Sequence, residues 1–254
     1  MDWAQVTLFF LILARMSGFI LFNPLFGRQS IPGIVKSGFI LLLGITAFTM
    51  TTYRPAVPDS ILELGVRLFL EMGMGYLVGI VMNFFFYIPL LGGETIDIQM
   101  GMSMGKTYDP GSQASTTVTA SLLNILMLLL FFAANGHHTL IRIFLVSGRV
   151  VPFGAVALGE NFYEAMIQIF LECTLLGVKL AMPILAAELM GQVGMGILMK
   201  AIPQINVFAI NIELKVIIGL VMTLLLLVPF SGFLLEAETE MLLTIQRVLP
   251  LMSG

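Results

Sequence analysis

Long apolar runs constrain this chain more than any other feature of its sequence. A helix that crosses the hydrocarbon core of a bilayer, about 30 Å thick, needs roughly 20 apolar residues. Six apolar runs follow one another, the second of them short for a span, at residues 3–22, 38–52, 72–91, 118–134, 165–190 and 216–235. A more acidic segment at 236–249 predicts a further helix. Because lipid leaves backbone polar groups unsatisfied outside helices and closed barrels, the pattern predicts an all-α fold.

The scarcity of charge supports the same conclusion. Of the 254 residues, 58% are hydrophobic and 11% are charged, whereas soluble domains carry about 25% charged residues. Charged side chains are too few to cover a water-exposed surface. Much of the chain must therefore face lipid or other proteins. The net charge is -3 and Lys and Arg form no cluster, which argues against nucleic-acid binding. We predict one membrane-associated helical bundle over residues 1–254.

Glycine and proline interrupt several of the apolar runs, as at Pro89, Pro183 and Pro229. Lipid cannot satisfy the backbone groups that such breaks release, so protein or water has to do so. Lys and Arg are spread evenly between successive breaks, without the asymmetry from which membrane orientation is derived. We therefore predict broken and tilted helices in a subunit that is surrounded by partners.

Two stripes of charged residues lie in and beside the apolar runs. The first stripe consists of Glu63, Arg67 and Glu71, four residues apart. In the second, Glu172 lies eight residues after Glu164, and Lys179 lies seven residues after Glu172. A charge at the bilayer centre costs about 2.5–3.5 kcal/mol on insertion scales, so such side chains pair or face water or protein. Three interpretations stay open: pairing or solvation, contact with neighbouring subunits, and a proton or ion relay. The second makes all six residues candidate subunit contacts.

A pair of glycines in the third run predicts close helix packing. Gly75 and Gly79 are four residues apart and therefore lie on one helix face. Small residues at this spacing let the backbone of another helix approach closely. The motif does not say whether that helix belongs to this chain or to another.

Possible catalytic and metal-binding motifs lack the context that their chemistry needs. Residues 101–105 match G-x-S-x-G, but that motif requires a strand-to-helix turn above a parallel sheet. A phosphate-binding loop would need one more residue between Gly101 and Gly105. His137 and His138 are adjacent, so they do not share a helix face. Cys173 is the single cysteine and is predicted to be a small buried hydrophobe. We predict no enzymatic activity, no cofactor and no metal.

Several segments, in order along nearly the whole chain, resemble the FliR family. They are LARMSG (13–18), NPLFG (23–27), IPGIVK (31–36), GETIDIQMGM (93–102), YDPGS (108–112), NGH (135–137) and AIPQINVF (201–208). Each motif is short, but the ordered set is specific. Met102 and Met104 stand where aliphatic or aromatic residues often occur in that family.

The resemblance implies a role in protein export. FliR-like subunits join FliP-like and FliQ-like proteins, beside an FlhB-like protein, in the helical export gate at the base of the bacterial flagellum. Unfolded flagellar proteins pass through its central channel. The resemblance implies no catalysis and no cofactor, and it implies a location in the bacterial cytoplasmic membrane, at the flagellar basal body.

The resemblance also implies that the loop at about residues 100–117 closes the resting channel. The candidate plug residues are Met100, Met102, Ser103, Met104, Lys106, Tyr108 and Asp109. Methionine is flexible and apolar enough to close an irregular gap, and an apolar constriction can stop ions by dewetting. Residues 108–111 predict a turn at the far end of the loop.

Two alternatives to the flagellar gate remain at this point. One is the homologous subunit of a virulence injectisome, which shares the architecture. The other belongs to a different class, the small-solute secondary transporters, whose sequences show paired interrupted helices in two related halves. The chain shows no such halves, and an intramembrane enzyme would need a catalytic constellation that the motifs do not supply.

Overall fold

A computed structural model describes residues 3–53, 55–102, 107–109, 114–157, 159, 161–201 and 207–253. Eight α-helices account for most of these residues, which confirms the predicted all-α fold. The helices are α1 (Trp3–Leu21), α2 (Gly33–Met50), α3 (Ile61–Met100), α4 (Val118–Ala133), α5 (Gly136–Val150), α6 (Phe162–Ala201), α7 (Val207–Leu225) and α8 (Leu227–Val248). A 3₁₀ turn at Leu249–Met252 follows α8. Strands β1 (Thr107–Asp109) and β2 (Ala114–Thr116) form a small antiparallel hairpin.

Several helices have the length and apolarity of membrane spans. Among the described residues these are α1, α2, α3 and α6. Two further pairs, α4 with α5 and α7 with α8, pass the same test when each bent pair counts as one broken span, which gives up to six. This agrees with the prediction of about six apolar helical segments, some of them broken.

Not every proline and glycine in the apolar runs interrupts a helix. Helices α3 and α6 each run for 40 residues, and they continue through Pro89 and Pro183 respectively. A proline removes only one donor from a helix, and neighbouring groups can satisfy the freed backbone in a packed or membrane setting. The expected interruptions at these two positions were therefore wrong.

A polar stretch that resembles a break follows the third apolar run from residue 93, but α3 continues through it to Met100. Within this stretch Gly93 lies against the backbone of Thr119 and Ala120 in α4, so closely that a Cβ there would clash. Asp97 is fully buried and hydrogen-bonds to Thr119. Asp97 and Gly93 contact a neighbouring helix, α4. The polarity of this stretch therefore reflects helix packing and does not indicate a loop.

The sharp breaks occur instead at Asn135 and at Leu226. Asn135 has φ 58° and ψ 25°, a left-handed conformation that ends α4 and precedes α5. Asparagine adopts this conformation more readily than most residues. The apolar runs do not predict α5, because its apolar residues occupy only one face and its other face carries Arg142 and Arg149.

The contacts within the chain define two compact units, each assembled from separate stretches. Unit 1 consists of Met1–Phe85, Asn135–Phe170 and Thr239–Gly254, and unit 2 of Phe86–Ala134 and Leu171–Glu238. In unit 1 the rings of Phe19 in α1 and Phe144 in α5 stack 4.3 Å apart, and both are buried. In unit 2 Phe86 and Phe131 form an edge-to-face pair.

Helix α1 crosses α3 at the predicted glycine pair. A Cβ on Gly75 would lie 2.5 Å from the backbone nitrogen of Phe19, and one on Gly79 would lie 2.5 Å from the carbonyl oxygen of Phe22. Gly18 faces the same contact from α1. The prediction of a close backbone approach is thus confirmed, and the approaching segment belongs to this chain.

Candidate functional site

The predicted plug loop begins at a well-defined helix end. Gly101 has φ +79°, its N–H donates to the carbonyl of Ile98 at 3.1 Å, and the N–H of Met102 donates to the carbonyl of Asp97 at 2.8 Å. This pair of bonds is a Schellman motif, which needs a left-handed residue and therefore favours glycine. It stops α3 and fixes the direction in which the chain enters the loop.

The same aspartate also holds the far end of the loop. Its carboxylate accepts the backbone N–H of Thr119 at 2.8 Å and the hydroxyl of Thr119 at 2.6 Å. Thr119 lies in the first turn of α4, where N–H groups lack partners within the helix and a negative charge is favourable. Asp97 therefore joins the end of α3 to the start of α4 and tethers both ends of the intervening segment. No local sequence signal points to this contact, because Thr119 lies 22 residues after Asp97.

Met100 does not lie in a loop. It is the last residue of α3, has no exposed surface, and packs against Gly219 of α7 so closely that a Cβ on that glycine would clash with its sulfur. In this conformation Met100 anchors the loop, whereas Met102 is partly exposed at its start. Ser103, Met104 and Lys106 lie outside the described residues.

Tyr108 and Asp109 were expected in a turn, but they belong to strand β1. Tyr108 pairs with Ser115, and Asp109 pairs with Ala114. The connection between the two strands falls on residues 110–113, outside the described part of the chain. The predicted turn is therefore wrong for Tyr108 and Asp109, because the pairing of Asp109 with Ala114, five residues later, is invisible to local turn propensity. Its other two residues, Pro110 and Gly111, lie outside the described part of the chain.

The first charged stripe divides into two parts. Glu63 and Arg67 form an ion pair at 2.5 Å, one turn apart at the start of α3, and both are partly exposed. Arg67 also donates to the carbonyl of Ala56, and Glu63 accepts the backbone N–H of Asp59. With Ser60, whose hydroxyl accepts the N–H of Glu63, these bonds cap the helix and hold the preceding segment against it.

Glu71, the third member of that stripe, lies inside unit 1. Its side chain has no exposed surface and accepts three N–H groups: Nε and Nη2 of Arg15, at 2.5 and 3.0 Å, and the backbone N–H of Gly154, at 2.6 Å. Arg15 also donates to the carbonyl of Val151 at 2.8 Å, and its guanidinium lies 4.2 Å from the ring centre of Phe153. The expected subunit contact at Glu71 is wrong in this structure, since a charge in an apolar helix is satisfied first by the chain itself.

The second stripe lies on α6 and is exposed. Glu164 belongs to the part of α6 in unit 1, and Glu172 and Lys179 belong to the part in unit 2. No described ion pair includes Glu164 or Lys179. These side chains are accessible for contacts with water or with other proteins.

Glu188 of α6, a carboxylate outside the two charged stripes, is 1% exposed. Among the described residues, neither of its oxygens finds a hydrogen-bond partner. It lies in unit 2 near Gly219, where a Cβ would be 3.0 Å from its Oε1. A polar residue inside an apolar helix is the signal that could have identified it.

The remaining sequence candidates form no catalytic cluster in the described part of the chain. The rings of His137 and His138 lie 4.1 Å apart at the start of α5. No group of three or more His, Cys, Asp or Glu side chains could hold a metal ion among the described residues. Cys173 is buried, as predicted.

Large apolar side chains cover much of the surface. In α2, only Leu43, Gly44 and Ala47 are buried. On α6, Met190 is 77% exposed and Ile197 67% exposed. Monomeric soluble proteins rarely show apolar surface on this scale, so lipid or other proteins must cover it.

The apolar helices and this surface define the class as multi-spanning helical membrane proteins. Within that class, the chain belongs to the bacterial export proteins, family 1, whose sequence profile matches residues 6–241. It is similar to the flagellar biosynthetic protein FliR of Escherichia coli (strain K12), 29% identical over 97% of this chain and 95% of the relative. FliR of Bacillus subtilis (strain 168) is 25% identical over 94% and 92%, and FliR of Caulobacter vibrioides is 27% identical over 85% and 86%.

Proposed function

We propose that this chain is a structural and gating subunit of the flagellar type III export gate and helps to form the channel for unfolded flagellar proteins. The observation that carries the proposal is its end-to-end similarity to FliR of three distant bacteria. A structural role also suits a chain whose polar groups cap helices and pair with one another. All three relatives named here are flagellar proteins, which favours the flagellar gate over an injectisome or a solute transporter.

The proposed partners are FliP-like, FliQ-like and FlhB-like subunits in the bacterial cytoplasmic membrane, at the flagellar basal body. The exposed apolar surface of α2 and α6 supports a partnered state, as do the charges of α6. Co-expression with FliP- and FliQ-like proteins tests this. We expect the chain to co-purify with them and to resist protease better than when it is expressed alone. Equal yield and equal protease resistance in both cases would count against the proposal.

The charged residues proposed to contact other subunits are Glu63, Arg67, Glu164, Glu172 and Lys179. We expect the double variant Glu164→Leu/Glu172→Leu to weaken assembly more than membrane targeting. The matched control is Glu213→Leu/Glu236→Leu, which removes two other exposed carboxylates. Normal assembly of the first variant, or an equal defect in the control, would contradict a specific role for the α6 stripe.

We also propose that the segment after Gly101 seals the resting channel. Support comes from the two tethers at Asp97, which hold the ends of this segment, at Met102 and Thr119, within unit 2. Deletion of residues 102–106 is expected to leave the complex assembled but leaky to small ions, which conductance measurements on reconstituted complexes detect. A deletion of 55–59, between α2 and α3, is the control and should not leak. If the 102–106 deletion conducts no more than the intact complex, the loop is not the seal.

A further inference from the structure

A groove in unit 1 lies between α5 and the turn that follows α8. Its volume is about 610 Å³. The described residues that line it are Thr139, Arg142, Ile143, Val146, Ser147, Arg149, Val150, Gln246, Leu249 and Pro250. Arg142 and Arg149 are seven residues apart, which is about two helical turns, so they lie on one side of α5. Both side chains are exposed.

The two arginines give this groove a positive charge that no acid among its described lining residues neutralises. None of the described residues lining the groove is acidic, and the sequence has no Asp or Glu between Asp109 and Glu160. The described ion pairs involve Arg15, Arg67 and Arg247, not these two arginines. Guanidinium groups bind phosphate oxygens with two parallel hydrogen bonds, so a phosphate is a suitable ligand.

Apolar side chains line the groove beside the arginines. Val146 lies between Arg142 and Arg149 along α5, Val150 follows Arg149, and Leu249 and Pro250 belong to the 3₁₀ turn. A ligand that fits has an anionic end and an apolar body. Phospholipids have this form, and basic recesses between helices of membrane proteins bind their headgroups.

We propose that this groove binds the headgroup of an anionic phospholipid. The phosphate contacts Arg142 and Arg149, and the glycerol and the first methylene groups of the acyl chains lie along Val146, Val150 and Leu249. Thr139 and Gln246 offer further hydrogen-bond donors at the rim. The proposal concerns a site separate from the plug loop, and it does not depend on the flagellar function.

The test compares the binding of two lipids to the full chain. The chain is purified in a neutral detergent together with its co-expressed partner subunits. Native mass spectrometry measures binding of phosphatidylglycerol and phosphatidylcholine. We expect phosphatidylglycerol to bind about tenfold more tightly, because two basic residues face its charge. Arg142→Gln/Arg149→Gln should remove this preference. Arg247→Gln is the control for the single variants Arg142→Gln and Arg149→Gln, because each of the three removes one positive charge from an exposed arginine of unit 1, and Arg247 pairs with Glu240 and does not line the groove.

A charge-conserving variant separates a specific site from misfolding and from general attraction. Arg142→Lys/Arg149→Lys should keep part of the preference, since lysine supplies the charge without the planar fork. The proposal fails if the intact chain has no preference, or if Arg247→Gln reduces it as much as the single groove variants do. It also fails if inorganic phosphate displaces the lipid completely, which would indicate a phosphate site. Lipid binding that occurs only without the partner subunits would show that a protein segment occupies the groove.

Discussion

Two buried glutamates, one in each unit, are satisfied in opposite ways. Glu71 of α3 accepts three N–H groups, two of them from the cationic Arg15, and it connects α1, α3 and the segment after α5. Glu188 of α6 is equally buried, yet neither of its oxygens has a hydrogen-bond partner among the described residues. In unit 1 the chain satisfies its own buried charge, whereas in unit 2 it leaves one carboxylate without a described donor.

The difference shows that a charge in an apolar helix does not by itself indicate a subunit contact or a relay. Glu71 was expected to reach other subunits because it shares a stripe with Glu63 and Arg67. Its actual role is internal, since an unpaired buried charge is costly and Arg15 of the same chain pairs with it. Glu188, which belongs to no stripe, is the residue whose buried oxygens have no hydrogen-bond donor among the described residues.

The largest expected effect is loss of one member of the paired site. Glu71→Leu should destabilise the detergent-solubilised chain by about 3–5 kcal/mol, because it leaves Arg15 buried without its carboxylate. Chemical unfolding of the chain in its assembled complex measures this. The double variant Arg15→Met/Glu71→Leu should recover most of the loss. If Glu71→Leu leaves the free energy of unfolding unchanged, the proposed difference between Glu71 and Glu188 is wrong.

The second prediction concerns the close packing of α1 against α3 at Gly75, apart from the ion pair of Arg15 and Glu71. Gly75→Ala should destabilise by about 1–3 kcal/mol, because its Cβ would meet the backbone of α1 and force a shift. Gly73→Ala is the matched control on the same helix, where a Cβ meets nothing within 4 Å. It should be neutral or stabilise by about 0.5–1 kcal/mol through helix propensity. Thermal unfolding of both variants checks this, and equal effects would contradict the close approach of α1 to α3.

Asp97 is an intermediate case, since neutral donors satisfy its buried carboxylate. Asp97→Ala should destabilise by about 1–2 kcal/mol, the usual range for a lost N-terminal helix cap. It should also expose the segment after Gly101 to protease, because the carboxylate of Asp97 holds the far end of the loop at Thr119. The bond from the N–H of Met102 uses the backbone carbonyl of residue 97 and should remain. Asp97→Asn keeps one acceptor for Thr119 and should lose less. Limited proteolysis with mass mapping of the cuts measures the effect, and an unchanged cleavage pattern would argue against the tether.

The smallest effect is expected at Glu188. Glu188→Leu should leave stability unchanged or raise it by up to about 1 kcal/mol, since it removes a buried polar group without breaking a described bond. Unfolding measurements should be made with and without the partner subunits. A loss as large as that of Glu71→Leu in both cases would show that Glu188 has a donor in its own chain. A loss confined to the complex would assign the donor to another subunit.

Parts of the site were predictable from the sequence because they depend on residues close together in the chain. The spacing of Gly75 and Gly79 predicts a face that admits a backbone, and Glu63 and Arg67 pair as residues one helical turn apart do. The tether at the far end of the loop was not predictable in this way. It requires Asp97 to meet Thr119, 22 residues later, and the intervening polar stretch resembles a loop until that contact is known.

The sequence by itself determined that this chain is helical and belongs in a membrane or among partners, because apolar runs this long and charges this few leave no other way to satisfy the backbone. Its ordered motifs also identified the family. Only the tertiary structure decided which charges are internal and which are exposed. Arg15 and Glu71 are 56 residues apart, and a pairing over that distance depends on how α1 and α3 pack. Helix periodicity carries no information about that packing.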